Sequence, residues 1–367
     1  MNTASDLTQE EWHRRTDAAL RWLRHCWGAT DGKGFSHSYS PFSGWSKAYP
    51  ETSGYLIDTL FDYARLRSER SLTQLALQCT DWLVSIQFPN GAYPALLAGN
   101  KKPSVFNTAM ILFGLTRAFE ENDDISKRSV LLSSLQHAVT WLINQLEPDG
   151  SWKKHAYVEG FTPNYYAYAV WAMLRANSVL NNPDIEERMR QAIGYYANGI
   201  LGNGAVSDAG FFPGKPAFTH TMGYTFNGFL ESAVLLSDEN LIEKKILTGE
   251  KFIAIMCANR YRTAGRYDAQ WRGDYSFLCL TGNCQLSVFC SRLWEITGRE
   301  EFRQTARELL NEVVKYQKLS GPKCVRGALP GSYPFWGPYM RFRYPNWGVK
   351  FFLDAMFKLC PSGDINS

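Results

Sequence analysis

The sequence predicts an all-α protein, a single (α/α)6 toroid over residues 1–367 with six inner and six outer helices. Three observations predict it. A unit recurs at a period of roughly 60 residues, each unit holds two unlike helical segments, and the connections are short on one side and long on the other.

Each unit opens with a polar amphipathic segment that often closes on an aromatic and a Gln. A Gly-containing turn follows, then an aromatic, a loop, and a nearly all-apolar segment. The clearest copies are Trp82…Gln87-Phe88-Pro89-Asn90-Gly91-Ala92-Tyr93 and Trp141…Gln145-Leu146-Glu147-Pro148-Asp149-Gly150-Ser151-Trp152. Weaker copies are expected at Asp31-Gly32…Phe35, Asn203-Gly204, Gly265-Arg266-Tyr267 and Gly331-Ser332-Tyr333, which makes six.

The first segments, such as 184–196 and 300–316, carry apolar residues at helical spacing with charges opposite, so they form the outer wall. The second segments (105–119, 165–174, 224–236, 286–296 and 347–359) are apolar on most sides and must be buried. Links from inner to outer helices are short and polar: 67–70, 122–125, 181–184, 237–240 and 297–300. Links from outer to inner helices are mostly long, aromatic and rich in Gly and Pro: 27–50, 89–104, 201–219, 259–281 and 319–345. Long structured loops gathered on one side mark a functional face. They lie over the N-terminal ends of the inner helices, where N–H groups and positive dipole ends point.

Composition bounds the function. Of 367 residues, 45 % are hydrophobic, 20 % charged and 14 % aromatic, which excludes a disordered chain. No apolar run is long enough to span a bilayer, so an integral membrane protein is not expected. The stretch Met1-Asn2-Thr3-Ala4-Ser5-Asp6 has no basic or apolar leader. A net charge of +4 without basic runs argues against nucleic acid as a partner. The eight cysteines never form CxxC, and reduced thiols with a cytoplasmic address are the expectation.

The Gln/Trp/Gly turn repeats resemble those of terpene-cyclase and protein-prenyltransferase toroids, and more generally of (α/α)6 carbohydrate-active enzymes. Two stretches, Gly44-Trp45-Ser46-Lys47-Ala48-Tyr49-Pro50-Glu51-Thr52-Ser53-Gly54-Tyr55 and Tyr344-Pro345-Asn346-Trp347-Gly348-Val349-Lys350-Phe351-Phe352, resemble prenyltransferase-like proteins of bacterial polysaccharide-biosynthesis clusters. The resemblance implies the fold and leaves the chemistry open. The cyclase motif Asp-x-Asp-Asp is missing, and Asp123-Asp124 falls on a short link. Gly273-Asp274-Tyr275-Ser276-Phe277-Leu278 resembles the prenyltransferase zinc segment, but Gly and Asp replace its ligand pair and no His follows His220. Cys279, Cys284 and Cys290 have neither a nearby His nor a CxxC, so no metal and no cofactor are expected.

The first turns of the inner helices supply the candidate pocket: Glu51 and Tyr55; Asn107; Asn164 and Tyr165; His220 and Tyr224; Asn283 and Gln285; Asn346, Trp347 and Lys350. Amides and acids that fork onto hydroxyls, with flat aromatics beneath, suit a sugar. His220 and Tyr224, spaced i and i+4, share one helical face. A neutral His as base and a Tyr as acid would abstract the proton alpha to a uronate carboxylate, giving β-elimination or epimerisation. Asn164, Arg272 and Lys350 are the candidates to hold that carboxylate. Toroid polysaccharide lyases use a similar Asn/His/Tyr/Arg set by residue type.

Carboxylates offer a rival. Glu51 with Asp268 or Asp274, which flank Trp271-Arg272, would support glycoside hydrolysis. Asp268 and Asp274 would equally pair with Arg266 and Arg272. Trp336 and Arg341, with Tyr333, Tyr339 and Arg343, form a basic aromatic loop suited to an acidic glycan or a polyprenyl phosphate. The sequence therefore reads as an enzyme acting on an acidic carbohydrate, by lyase or epimerase chemistry. The alternatives are a glycoside hydrolase, or a non-catalytic glycan-binding or scaffold protein of polysaccharide biosynthesis.

Overall fold

The computed structural model describes residues 7–361, and the Met1–Asp6 stretch read above for a leader lies outside them. The outer helices are α1 (Gln9–Gly28), α3 (Arg70–Ile86), α5 (Ile125–Asn144), α7 (Pro183–Ala197), α9 (Glu239–Ala258) and α11 (Glu300–Val314). The inner helices are α2 (Pro50–Leu66), α4 (Val105–Glu120), α6 (Ala167–Leu180), α8 (Thr219–Leu236), α10 (Leu280–Thr297) and α12 (Asn346–Lys358). Each inner helix packs on the next, and α12 returns to α2, so the inner ring closes.

Burial follows the expected division. Along α11, Phe302, Thr305, Ala306, Leu309, Leu310 and Val313 are buried at helical spacing while the charged residues face outward. Along α4, every residue from Val105 to Thr116 is buried. The short links are short for a local reason. Asn181 and Ser237 end α6 and α8 in the left-handed region, and Asn182 and Asp238 cap the outer helices that follow.

The glycine turns lock each unit to the next. Phe88 N–H donates to Ala92 O at 2.9 Å and Gly91 N–H to Phe88 O at 2.8 Å. The same pair of bonds recurs at Glu147–Ser151 with Gly150 and at Leu201–Ala205 with Gly204. Gly91 has φ +92°, and a Cβ there would lie 2.2 Å from His137 O on the next outer helix. The sixth copy is displaced from its expected place. Lys318, Gly327 and Ala328 make these bonds, not Gly331-Ser332-Tyr333, and Gln317 takes the place of Gln87. The residues inserted between Lys318 and Gly327 hide the motif. The fifth expected copy makes no such turn, because Gly265 packs on Phe277 and Arg266-Tyr267 is a strand.

Among the described residues, eight short strands brace the long loops: β1 (Ser38–Ser40), β2 (Gly44–Trp45), β3 (Ala217–Phe218), β4 (Arg266–Tyr267), β5 (Gly273–Asp274), β6 (Leu278–Cys279), β7 (Ser332–Tyr333) and β8 (Tyr344–Pro345). They pair antiparallel as β2–β1–β8, β3–β4–β5 and β6–β7. Helices α8 and α10 begin earlier than the apolar segments at 224 and 286, because their first turns are polar. The residues read as opening the third inner helix form instead a 3-10 turn, Asn164–Tyr166.

Candidate active site

Beneath the long loops the inner helices leave a cavity of about 750 Å³. Its walls are largely aromatic, with Tyr49, Phe106, Tyr165, Phe211, Tyr224, Tyr339 and Trp347, and its polar lining includes His37, Glu51, Asn107 and His220. Glu51 comes from α2 and His220 from α8, the first and fourth staves of a six-stave ring, so they enter across the axis from each other. One helical turn below each stands a tyrosine, and the two hydroxyls, Tyr55 Oη and Tyr224 Oη, meet at 3.1 Å to make the floor.

Among the described residues His220 has one side-chain hydrogen-bond partner. Its Nδ1 lies 2.7 Å from Gln285 Oε1 of α10, and an amide oxygen accepts, so Nδ1 carries the proton and Nε2 keeps the lone pair. Gly223 makes this possible, since a Cβ there would come within 2.4 Å of Gln285 Cβ. Burial pulls the imidazole down to about 3, with the Gln285 bond opposing, so it is neutral at pH 7. His37 is also neutral, held at about 4 by burial and then by Arg343. It stands 4.7 Å from the Trp347 ring, and Tyr339 Oη accepts from Trp347 Nε1 at 2.6 Å.

Glu51 has the opposite displacement. Burial pushes its carboxyl up to about 7, against the lowering effect of a very short hydrogen bond donated by Tyr49 Oη. The cavity thus holds a neutral imidazole with its Nε2 lone pair free and, across the axis, a carboxyl that can give a proton near neutrality.

Of the residues expected from sequence, Glu51, Asn107, Tyr165, His220, Tyr224 and Trp347 line this cavity, and Tyr55 underlies it. The others are placed elsewhere. Asp268 accepts from Arg272 Nε at 2.6 Å, and Asp274 from Arg266 Nε at 3.1 Å, both in the long fifth loop outside the lining. Trp271 packs on Phe226 and Phe252 and donates to Asn203 O at 3.1 Å. Lys350 forms a tight ion pair with Asp354 beneath the floor, with its ammonium 5.1 Å from the Tyr55 ring centroid. Asn164 donates to Ser207 O at 2.6 Å and Asn346 to Ser36 O at 2.9 Å. Asn283 accepts from Thr263 Oγ1 at 2.9 Å. Trp336 and Arg341 lie exposed on the rim. Gln285 positions His220 and does not line the cavity. All three candidates for holding a carboxylate, Asn164, Arg272 and Lys350, therefore fall outside the lining.

Sequence reasoning missed His37, Tyr49 and Phe211 because it searched helix starts and these sit in loops. One signal was available for His37. Its loop precedes α2 and is tied to the first residue of α12, whose Asn346 N–H donates to His37 O at 3.1 Å. Among the described residues, no group of three or more His, Cys, Asp or Glu comes together to hold a metal ion.

No protein-family model matches the chain, and no curated protein matches its sequence. Solved structures do match in shape. An unsaturated glucuronyl hydrolase specific for heparin superposes with a TM-score of 0.73 at 13 % identity, over 95 % of this chain and 97 % of that one. The unsaturated glucuronyl hydrolase of Bacillus sp. GL1 gives 0.73 at 12 % identity, over 95 % and 97 %. A sugar epimerase from a ruminal bacterium gives 0.72 at 11 %, over 95 % and 98 %. At such identities the likeness shows the (α/α)6 toroid, and it does not extend to the cyclase or prenyltransferase resemblance.

Proposed function

We propose that the chain is a carbohydrate-active enzyme that moves a proton at a sugar carbon alpha to a carbonyl. The observation that carries this reading is the opposed pair, Glu51/Tyr55 on α2 against His220/Tyr224 on α8. An open-chain sugar or a uronate lying over the tyrosine floor would present its alpha carbon between the two. His220 Nε2 takes the alpha proton. The charge that develops on the carbonyl oxygen is met by the Tyr224 hydroxyl, which burial keeps protonated and Tyr55 supports from below. Glu51, protonated across the axis, returns a proton to the other face, which inverts the centre. His37, neutral at pH 7 as His220 is, carries no extra proton to give in that step.

The shape likeness to a sugar epimerase and to glucuronyl hydrolases supports a sugar as substrate, and the latter supports an acidic one. Epimerisation is favoured over elimination because the side chains expected to clamp a uronate carboxylate are engaged outside the cavity. Lys102, on the rim, is the only Lys or Arg among the described lining residues. Hydrolysis is the second reading. It is favoured by Glu51 titrating near 7, but Asp268 and Asp274 do not share the cavity with it, and the other lining carboxylate, Glu159, is exposed.

The test is incubation with aldoses, uronates and oligosaccharides in D2O, followed by proton NMR, absorbance of unsaturated uronate, and reducing-end release. Deuterium at the alpha carbon that is lost in both His220→Ala and Glu51→Gln is the expected result. New absorbance would replace epimerisation by elimination. Reducing ends without deuterium exchange would replace both by hydrolysis.

A further inference from the structure

The charges are not spread evenly over the toroid. The six outer-to-inner connections (29–49, 87–104, 145–163, 198–218, 259–279 and 315–345) hold 17 Lys and Arg against 7 Asp and Glu, and the rest of the chain holds 22 against 28. The connections therefore carry +10 and the remainder −6, although the chain as a whole is only +4. The asymmetry is strongest in 315–345, which carries six Lys and Arg and no acid, and 32–50 adds Lys33 and Lys47 with no acid. Lys33, Lys47, Lys318, Lys323, Arg326 and Arg341 among them are exposed.

The same two segments present apolar side chains to water. Phe42, at the tip of the β1–β2 hairpin, is 79 % exposed, and Trp336 in the β7–β8 loop is 62 % exposed. They belong to one patch. Phe42 packs edge-on against Phe342 at 5.5 Å, Phe342 against Phe335 at 5.7 Å, and Arg341 Nε donates to Trp336 O at 3.0 Å. The patch is rigidly mounted, because β1 pairs with β2 on one side and β8 on the other. Leu96, Tyr157 and Phe212 continue the exposed apolar rim on neighbouring loops.

We infer that this rim docks on an anionic lipid bilayer, with Phe42 and Trp336 entering the headgroup layer and the basic residues pairing with lipid phosphates. Exposed aromatics interleaved with Lys and Arg on one face, backed by an acidic body that is repelled, are the physical pattern of an interfacial protein. A soluble polyanion would use the charges but gains little from Phe42, a side chain with no hydrogen-bonding group. No helix of the described residues is long and apolar enough to cross a membrane, so the contact is peripheral. It places the cavity mouth against the headgroups, and it does not depend on which reaction the cavity performs.

The experiment is cosedimentation of the full chain with vesicles of phosphatidylcholine alone or mixed with phosphatidylglycerol, with heparin as a soluble competitor and thermal unfolding as the check on fold. We expect binding to the mixed vesicles only. It should fall about tenfold in the Phe42→Ser/Trp336→Ser double variant and about tenfold in Lys47→Glu/Arg341→Glu, with unfolding temperatures unchanged. Absence of binding to the mixed vesicles overturns the inference. So does binding that heparin abolishes and the Phe42→Ser/Trp336→Ser variant retains in full, which would mark the rim as a polyanion-binding surface.

Discussion

Lys245 on α9 is fully buried, and among the described residues no acceptor reaches its Nζ. Its ammonium lies over two aromatic rings, Phe229 at 5.0 Å and Phe226 at 5.6 Å. Burial, and secondarily Lys244, pulls its ammonium from 10.5 down to about 7. That drop corresponds to about 5 kcal/mol of folding free energy spent on this one group at and below neutral pH. The two aromatic faces return about 1–2 kcal/mol of it. Replacement by Met keeps the stem and removes the charge, so Lys245→Met should stabilise the protein by about 2–4 kcal/mol at pH 7. The pH dependence has a definite sign. Between about 7 and 10.5 the unfolded chain keeps a proton on this lysine that the folded chain has released, so the wild type gains stability as pH rises through that window. The gap between variant and wild type is thus widest near pH 7 and closes toward pH 10. Urea unfolding of both proteins at a series of pH values measures it. A variant less stable than wild type at pH 7, or a gap that does not change with pH, would refute the reasoning.

Three further outcomes follow from the same structure. Gly327 sits at φ +100°, where a Cβ would lie 1.9 Å from Ala18 O, so Gly327→Ala should cost about 3 kcal/mol or more and lower the thermal midpoint. An unchanged midpoint would remove Gly327 from the ring-closing turn. The Glu51 carboxyl is raised from 4.5 to about 7, so its contribution to stability is full below about 4.5 and lost as pH rises through 7. Glu51→Gln should then be more stable than wild type above pH 7 by up to about 3 kcal/mol, equal to it at pH 4, and inactive; unfolding curves at the two pH values decide. Gln285→Glu should raise the His220 titration toward neutrality and reduce turnover at least about tenfold, while Gln285→Leu lowers turnover without raising that titration. The imidazole nitrogen shifts of His220 read this directly, and an unmoved titration in Gln285→Glu would mean that Gln285 does not set the His220 proton.

The ring of helices is legible in the sequence because its signals are local and repeated. Trp82…Gly91 and Trp141…Gly150 announce a turn that the backbone has to make, and segments such as 105–119 have no face that water could wet. The displaced sixth copy shows the limit of such reading. Gln317 and Gly327 do the work of Gln87 and Gly91 across an insertion, and only the hydrogen bonds reveal it. The opposed pair was half visible. His220 and Tyr224 at i and i+4 fix one stave, and Glu51 and Tyr55 repeat the spacing on another. That these two staves face each other follows from counting helices around a closed ring, which makes the tyrosine floor a consequence of topology.

What the sequence could not separate is the two kinds of polar residue that open inner helices. Long loops carry backbone carbonyls that no regular ladder satisfies, and buried ones must find partners. The asparagines at the helix starts supply them. Asn107 donates to Pro94 O at 2.9 Å, Asn164 to Ser207 O at 2.6 Å, and Asn346 to Ser36 O at 2.9 Å. Asn283 plays the same part from the accepting side, taking the Thr263 hydroxyl at 2.9 Å. Four amides at the same level of the barrel look like a sugar-binding ring, yet each is engaged in tying down a loop. An amide offers both a donor and an acceptor to a neighbouring backbone, so it is readily absorbed by the scaffold. An imidazole held at one nitrogen keeps the other free, and a carboxyl held by one tyrosine keeps its second oxygen. On the proposed reading the chemistry of the mouth falls to His220 and Glu51, which line the cavity and are each held there by one side-chain partner, Gln285 and Tyr49.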